Sequence, residues 1–102
     1  MELRVLQYFL AVTREQNILR AAESLNLSQP TLSRQIRDME AELGKQLFIR
    51  GSRSITLTEE GMILRKRAEE IMELVMKAED EIALAEEPVS GSSTEGAGET
   101  AG

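Results

Sequence analysis

The sequence predicts a mainly α fold of three short helices, a small β-hairpin and one long helix. Three observations carry that expectation. Apolar residues recur at helical spacing from Leu3 to Leu43, and two β-prone runs flank a Gly51-Ser52 turn. From Leu64 onward, apolar residues repeat with a strict 4,3 alternation.

Each element has its own local signals. Leu3, Leu6, Phe9, Leu10 and Thr13 line one face of a first helix expected over residues 2–15. Asn17 is placed to cap a second helix, whose Ile18, Ala21, Ala22 and Leu25 form an apolar face with two small residues for close approach. Asn26 tolerates the left-handed turn that would end it. Ser28 suits the cap of a third helix, and Pro30 falls in the first turn, where its missing N–H costs nothing. Leu32, Ile36, Met39 and Leu43 then give that helix its buried stripe, and Gly44 suits its end.

Leu47 to Ile49 and Ile55 to Thr58 are the two arms of the hairpin. Thr58, Glu59 and Glu60 mark the start of the long helix, with acid where the helix dipole favours it. Leu64, Ala68, Ile71, Val75, Ala78, Ile82 and Ala85 form the seam expected of a paired helix, which Pro88 should stop after residue 87. Residues 88–102, rich in Gly, Ser, Thr, Glu and Ala, are expected to be disordered. The expected organisation is a unit over 1–58, a dimerisation helix over 59–87 and a tail over 88–102.

Composition narrows the function. The 102 residues include no Cys, His or Trp, which closes the commonest routes to nucleophilic catalysis, zinc binding and disulfide bonding. No cofactor or metal site is expected. The acidic residues of the long helix, such as Glu69, Glu70 and Glu73, read as a solvated face and not as paired catalytic carboxylates, so the chain is not expected to be an enzyme. Aromatic residues are limited to Tyr8, Phe9 and Phe48, too few for base-stacking recognition of single strands. No apolar run is long enough to span a bilayer, and no signal pattern opens the chain, so a cytoplasmic, nucleoid-associated protein without membrane contact is expected. The net charge is −6, but residues 1–67 carry +3 and residues 68–102 carry −9. Because a charged field is screened within about 8–10 Å, the basic front half keeps nucleic acid in play despite the acidic total.

Two short helices joined by about three turn residues have the layout of a helix-turn-helix. The outward face of the third helix collects Pro30, Arg34, Arg37 and Asp38, with Gln29, Thr31 and Ser33 at its N-terminal end. Gln can bridge adenine N6 and N7, Arg can bridge guanine O6 and N7, and Thr or Pro can touch a thymine methyl. On spacing alone, a solvated helix face with a good cap would look the same. Arg50 and Arg53 add two cations on the hairpin, where a wing can reach backbone or minor groove. These features together favour a winged helix-turn-helix followed by a long dimerisation helix.

The residues also resemble a known family. Met1-Glu2-Leu3-Arg4 with Tyr8-Phe9, Arg20-Ala21-Ala22-Glu23-Ser24-Leu25 and Leu27 to Ile36 are similar to the N-terminal DNA-binding region of LysR-type transcriptional regulators. The similarity continues through Leu43-Gly44, Leu47-Phe48, Arg50, Arg53 and Leu57-Thr58-Glu59-Glu60-Gly61 without a gap. It implies promoter binding as a homodimer through the long helix, with the residues matching Gln29, Pro30, Ser33 and Arg34 in the major groove and the one matching Arg53 working from the wing. Two departures stand out. Ile18 and Leu19 replace a usual aromatic and a usual Thr or Ser, and the missing hydroxyl leaves Leu19 with no assigned DNA contact. The family's effector-binding domain has only a faint counterpart in residues 96–100, so no small-molecule effector is expected. The alternative is a small helical dimerisation or adaptor protein without base-specific DNA binding.

Overall fold

A computed structural model describes residues 1–85 of the chain, and the expected tail over 88–102 lies outside them. Helix α1 spans Leu3–Glu15 and ends at Gln16, whose φ of 55° is left-handed. Its buried stripe is Leu6, Phe9 and Val12 with Ala11, while Leu3 is exposed and Leu10 and Thr13 are half-buried. The buried face is thus rotated from the expected one. The Thr13 hydroxyl is free to donate to the Leu10 carbonyl at 2.7 Å instead of packing in the core.

Helix α2 spans Ile18–Leu25, with the Asn17 side chain accepting from the Arg20 N–H at 2.9 Å and Asn26 left-handed at φ 58°. Helix α3 spans Gln29–Leu43, capped by Ser28 and closed by Gly44 at φ 69°. A cap of this kind stabilises a helix by about 1 kcal/mol, because it satisfies N–H groups the helix cannot reach. Leu32, Ile36 and Met39 are buried as their spacing requires, but Leu43, at the helix end, is exposed.

The hairpin pairs β1 (Phe48–Arg50) with β2 (Ile55–Leu57) antiparallel, Phe48 opposite Leu57 and Arg50 opposite Ile55. Leu47 and Thr58 lie outside the ladder. The Thr58 N–H still donates to the Leu47 carbonyl at 3.0 Å, and the Ile55 N–H donates to Gln16 at 3.3 Å, so the wing is held to the α1–α2 turn. Helix α4 spans Glu59–Leu84, capped by the Thr58 hydroxyl. It ends before the expected residue 87. Ala85 is extended, and Glu79, Asp80 and Glu81 put negative charge at the end where the helix dipole disfavours it. Residues 86 and 87 lie outside the described residues.

One core joins these elements. Helix α1 packs against α2, α3, α4 and β2, and the rings of Phe9 and Phe48 meet at 5.3 Å between centroids, tilted by 48°. Helix α4 enters the core through buried Gly61 and Ala68 and half-buried Leu64. The expected seam therefore divides: Leu64 and Ala68 pack within this chain, whereas Ala78, Ile82 and Ala85 are exposed, Ile71 lies at the edge and Val75 is half-buried.

Gly61 has no side chain because there is no room for one. A Cβ there would collide with the Leu47 carbonyl oxygen and lie 2.8 Å from Leu57 Cδ2. Alanine is favoured over glycine in a helix by about 1 kcal/mol, but overpacking against backbone costs about 1–3 kcal/mol or more. Gly61→Ala is expected to lower the thermal midpoint followed by circular dichroism; a midpoint equal to or above that of the parent would contradict this packing.

Candidate nucleic-acid interface

The α2–α3 connection is short because its backbone groups are satisfied locally. The Leu27 N–H donates to Ala22 at 2.9 Å and the Asn26 N–H to Glu23 at 3.1 Å. Buried Ala21 and Ala22 let α2 lie close on α1 and α3, which leaves the opposite side of α3 to solvent. Pro30, Arg34, Arg37 and Asp38 are exposed on that side, with Gln29, Thr31 and Ser33 half-buried at the N-terminal end.

Local hydrogen bonds order this end of α3. Ser28 Oγ accepts from the Thr31 N–H at 3.3 Å and donates to Thr31 Oγ1 at 2.8 Å, so Thr31 is engaged in the cap. Gln29 Nε2 donates to Ser33 Oγ at 2.8 Å, one turn away. This pair holds an amide oxygen and a hydroxyl side by side at the mouth of the helix, a donor and acceptor set suited to a base edge.

The expected residues fall into two adjoining hollows. One is a cleft closed by three elements: the start of α2, the side of α3 with Gln29, Ser33 and Arg37, and the wing with Arg50 and Arg53. The other lies along the outer face of α3 between Pro30, Arg34 and Asp38, and shares Gln29, Ser33 and Arg37 with the first. Thr31 lines neither. Leu19, which has no assigned contact, lines the three-element cleft and is exposed.

The cations differ in their surroundings. Among the described residues, Arg34, Arg37 and Arg53 have no carboxylate within 4 Å. Arg50 does: its Nη2 stands 3.6 Å from Glu40 Oε1. Glu40 escaped the sequence reading, although an acidic residue near the end of a helix, a few positions before an apolar strand, can bind the N–H groups at that strand's entry. The arrangement can receive a polyanion, with hydrogen-bonding side chains on a protruding helix and unpaired guanidinium groups on either side. Among the described residues no cluster of His, Cys, Asp or Glu could hold a metal ion, and no helix is long and apolar enough to cross a membrane.

The exposed apolar surface of α4 is wider than the expected seam. Beyond Ala68, α4 also exposes Leu74, Met76 and Leu84 alongside Ile82. A 4,3 repeat read from Leu64 passes over Leu74, which belongs to the neighbouring row of the helix surface.

Comparison with known proteins agrees with this architecture. A family model described as "Bacterial regulatory helix-turn-helix protein, lysR family" matches residues 3–62. The chain is 42% identical over 92 residues to the HTH-type transcriptional regulator BsdA of Bacillus subtilis (strain 168), covering 89% of this chain and 32% of that protein. It is 56% identical over 61 residues to the HTH-type transcriptional regulator BenM of Acinetobacter baylyi, covering 60% and 20%. The chain thus spans a third or less of these relatives. Among solved structures, it resembles the BenM DNA-binding domain in complex with benA site 1 DNA, with a TM-score of 0.78 and 43% identity over 81% of this chain and 96% of that one. The CbnR DNA-binding domain in complex with DNA is similar at a TM-score of 0.76 and 40% identity, over 81% and 95%. With its winged helix-turn-helix and a family match over most of the described residues, the chain belongs to the LysR family of bacterial regulatory helix-turn-helix proteins.

Proposed function

We propose that this chain binds double-stranded DNA sequence-specifically in transcriptional regulation, without catalysis, and that it acts as a homodimer in the bacterial cytoplasm. The observation that carries the reading is the convergence of α3 side chains and wing arginines on one cleft. Helix α3 enters the major groove with Gln29, Pro30, Ser33 and Arg34 toward base edges, while Arg37 and Arg53 meet the backbone or a flanking minor groove. DNA complexes of the similar BenM and CbnR domains support it. The direct test is selection of bound duplexes from a random library. Enrichment of a site with two half-sites about one helical turn apart is expected; failure to enrich any sequence favours the adaptor reading.

The second copy pairs through α4. Two recognition helices must be presented about 34–36 Å apart, or a multiple of that, to read both half-sites, and joining them multiplies affinity by about 10² or more. The exposed apolar residues Ile71, Leu74 and Ile82 supply the contact surface, with Ala78 allowing close approach.

Two experiments separate these parts. Arg34→Ala is expected to cost about 1–3 kcal/mol on the selected site and to relax preference at one or two base pairs, whereas Arg53→Ala should weaken most duplexes alike and lower the salt slope by about one unit. Equal binding by Arg34→Ala, or an unchanged slope in Arg53→Ala, removes that residue from the interface. Ile71→Glu with Ile82→Glu puts four charges into a paired contact, while glutamate keeps the helix. A folded monomer by sedimentation with at least about tenfold weaker binding is expected; a variant that remains dimeric places the contact elsewhere.

A further inference from the structure

We propose that Glu40 determines the specificity of the interface by withholding Arg50 from DNA phosphates, an inference that rests on the DNA-binding reading above. Glu40 lies on the last turns of α3, and its side chain is only 11% exposed. One carboxylate oxygen, Oε2, accepts from the backbone N–H groups of Leu47 at 2.8 Å and Phe48 at 3.3 Å. These bonds fix the carboxylate in place. The other oxygen faces Arg50 Nη2 at 3.6 Å, at the end of β1.

Arg50 stands between two environments. On one side it lines the cleft with Arg53, Gln29 and Ser33; on the other it lines a hollow with Glu40, Lys45 and Gln46. A phosphate that recruited Arg50 would have to displace a carboxylate already anchored and largely removed from water. Arg53, with no such partner among the described residues, meets no competitor.

The consequence falls on discrimination. Binding to arbitrary DNA is built from cation–phosphate contacts, each steepening the dependence of log affinity on log salt by about 0.9. Base readout depends on the α3 side chains. Holding one wing cation on the protein weakens the sequence-independent part and leaves the base contacts in place, so the ratio of specific to non-specific affinity rises. Glu40 is a positioning residue: it touches no DNA and acts through Arg50.

Glu40→Gln isolates this role, because its amide oxygen can still accept from Leu47 and Phe48 while the negative charge is gone. Its thermal midpoint is expected to stay near that of the parent, whereas Glu40→Ala, which loses both backbone hydrogen bonds, should melt lower. On a short mixed-sequence duplex, Glu40→Gln should bind about fivefold more tightly at physiological salt, with a salt slope steeper by about one unit. Combining Glu40→Gln with Arg50→Ala should remove that increment. Without DNA, the Arg50 Nε–H resonance should shift in Glu40→Gln. A folded Glu40→Gln protein with the parental slope, an increment that survives in the double variant, or an unmoved Arg50 resonance overturns the proposal. Parent protein that binds no duplex at low salt overturns the DNA-binding reading itself, and with it this proposal, even where the resonance moves.

Discussion

The fold depends on how the backbone of Gln46, Leu47 and Phe48 is satisfied. These three residues lie between α3 and the rest of the wing, and α3, α1, the start of α4 and the second strand are tied to them. The Glu40 carboxylate accepts the N–H groups of Leu47 and Phe48, Thr58 donates its N–H to the Leu47 carbonyl and its hydroxyl to the Gln46 carbonyl, and Gly61 leaves room for the Leu47 carbonyl. The Phe48 ring then packs, tilted, against Phe9 of α1. A buried backbone with unmet polar groups costs far more than one hydrogen bond gains, so this junction has little freedom to move. The angle between α3 and the wing, and the direction in which α4 leaves, follow from it.

Helix α1 supplies the other constraint. It touches no part of the cleft, yet its Leu6, Phe9 and Val12 form the floor on which the other helices rest. Helix α4 has two tasks along its length. Its first turns complete the core through Gly61, Leu64 and Ala68, and its later turns expose apolar side chains that a small core cannot reach. The same 4,3 alternation runs through both parts, buried at Ala68 and exposed at Ala78 and Ile82.

Charge is organised on the same local scale. The sequence as a whole is acidic, but the arginines of α3 and the wing stand together, and most of the carboxylates lie along α4 and in the segment beyond residue 85. Screening over about 8–10 Å makes the neighbourhood decisive and the sum nearly irrelevant. Asp38 and Glu40 stand inside the basic region, and Glu40 there holds both backbone and cation.

Much of this was legible in single residues. Asn17, Ser28 and Thr58 as caps, Asn26 and Gly44 as left-handed ends, and the α3 stripe from Leu32 to Met39 are local signals, since a cap or a turn is decided by atoms within three or four residues. Gln29, Ser33, Arg34, Arg37 and Arg53 were recognisable as a polar set for the same reason. Contacts distant in sequence were not legible. The rotation of the α1 stripe toward Val12, the loss of room at Gly61, the division of the α4 seam and the pairing of Arg50 with Glu40 each depend on where a second element lies. Only the tertiary structure decided those, because periodicity states which side of a helix is apolar but not what stands opposite it.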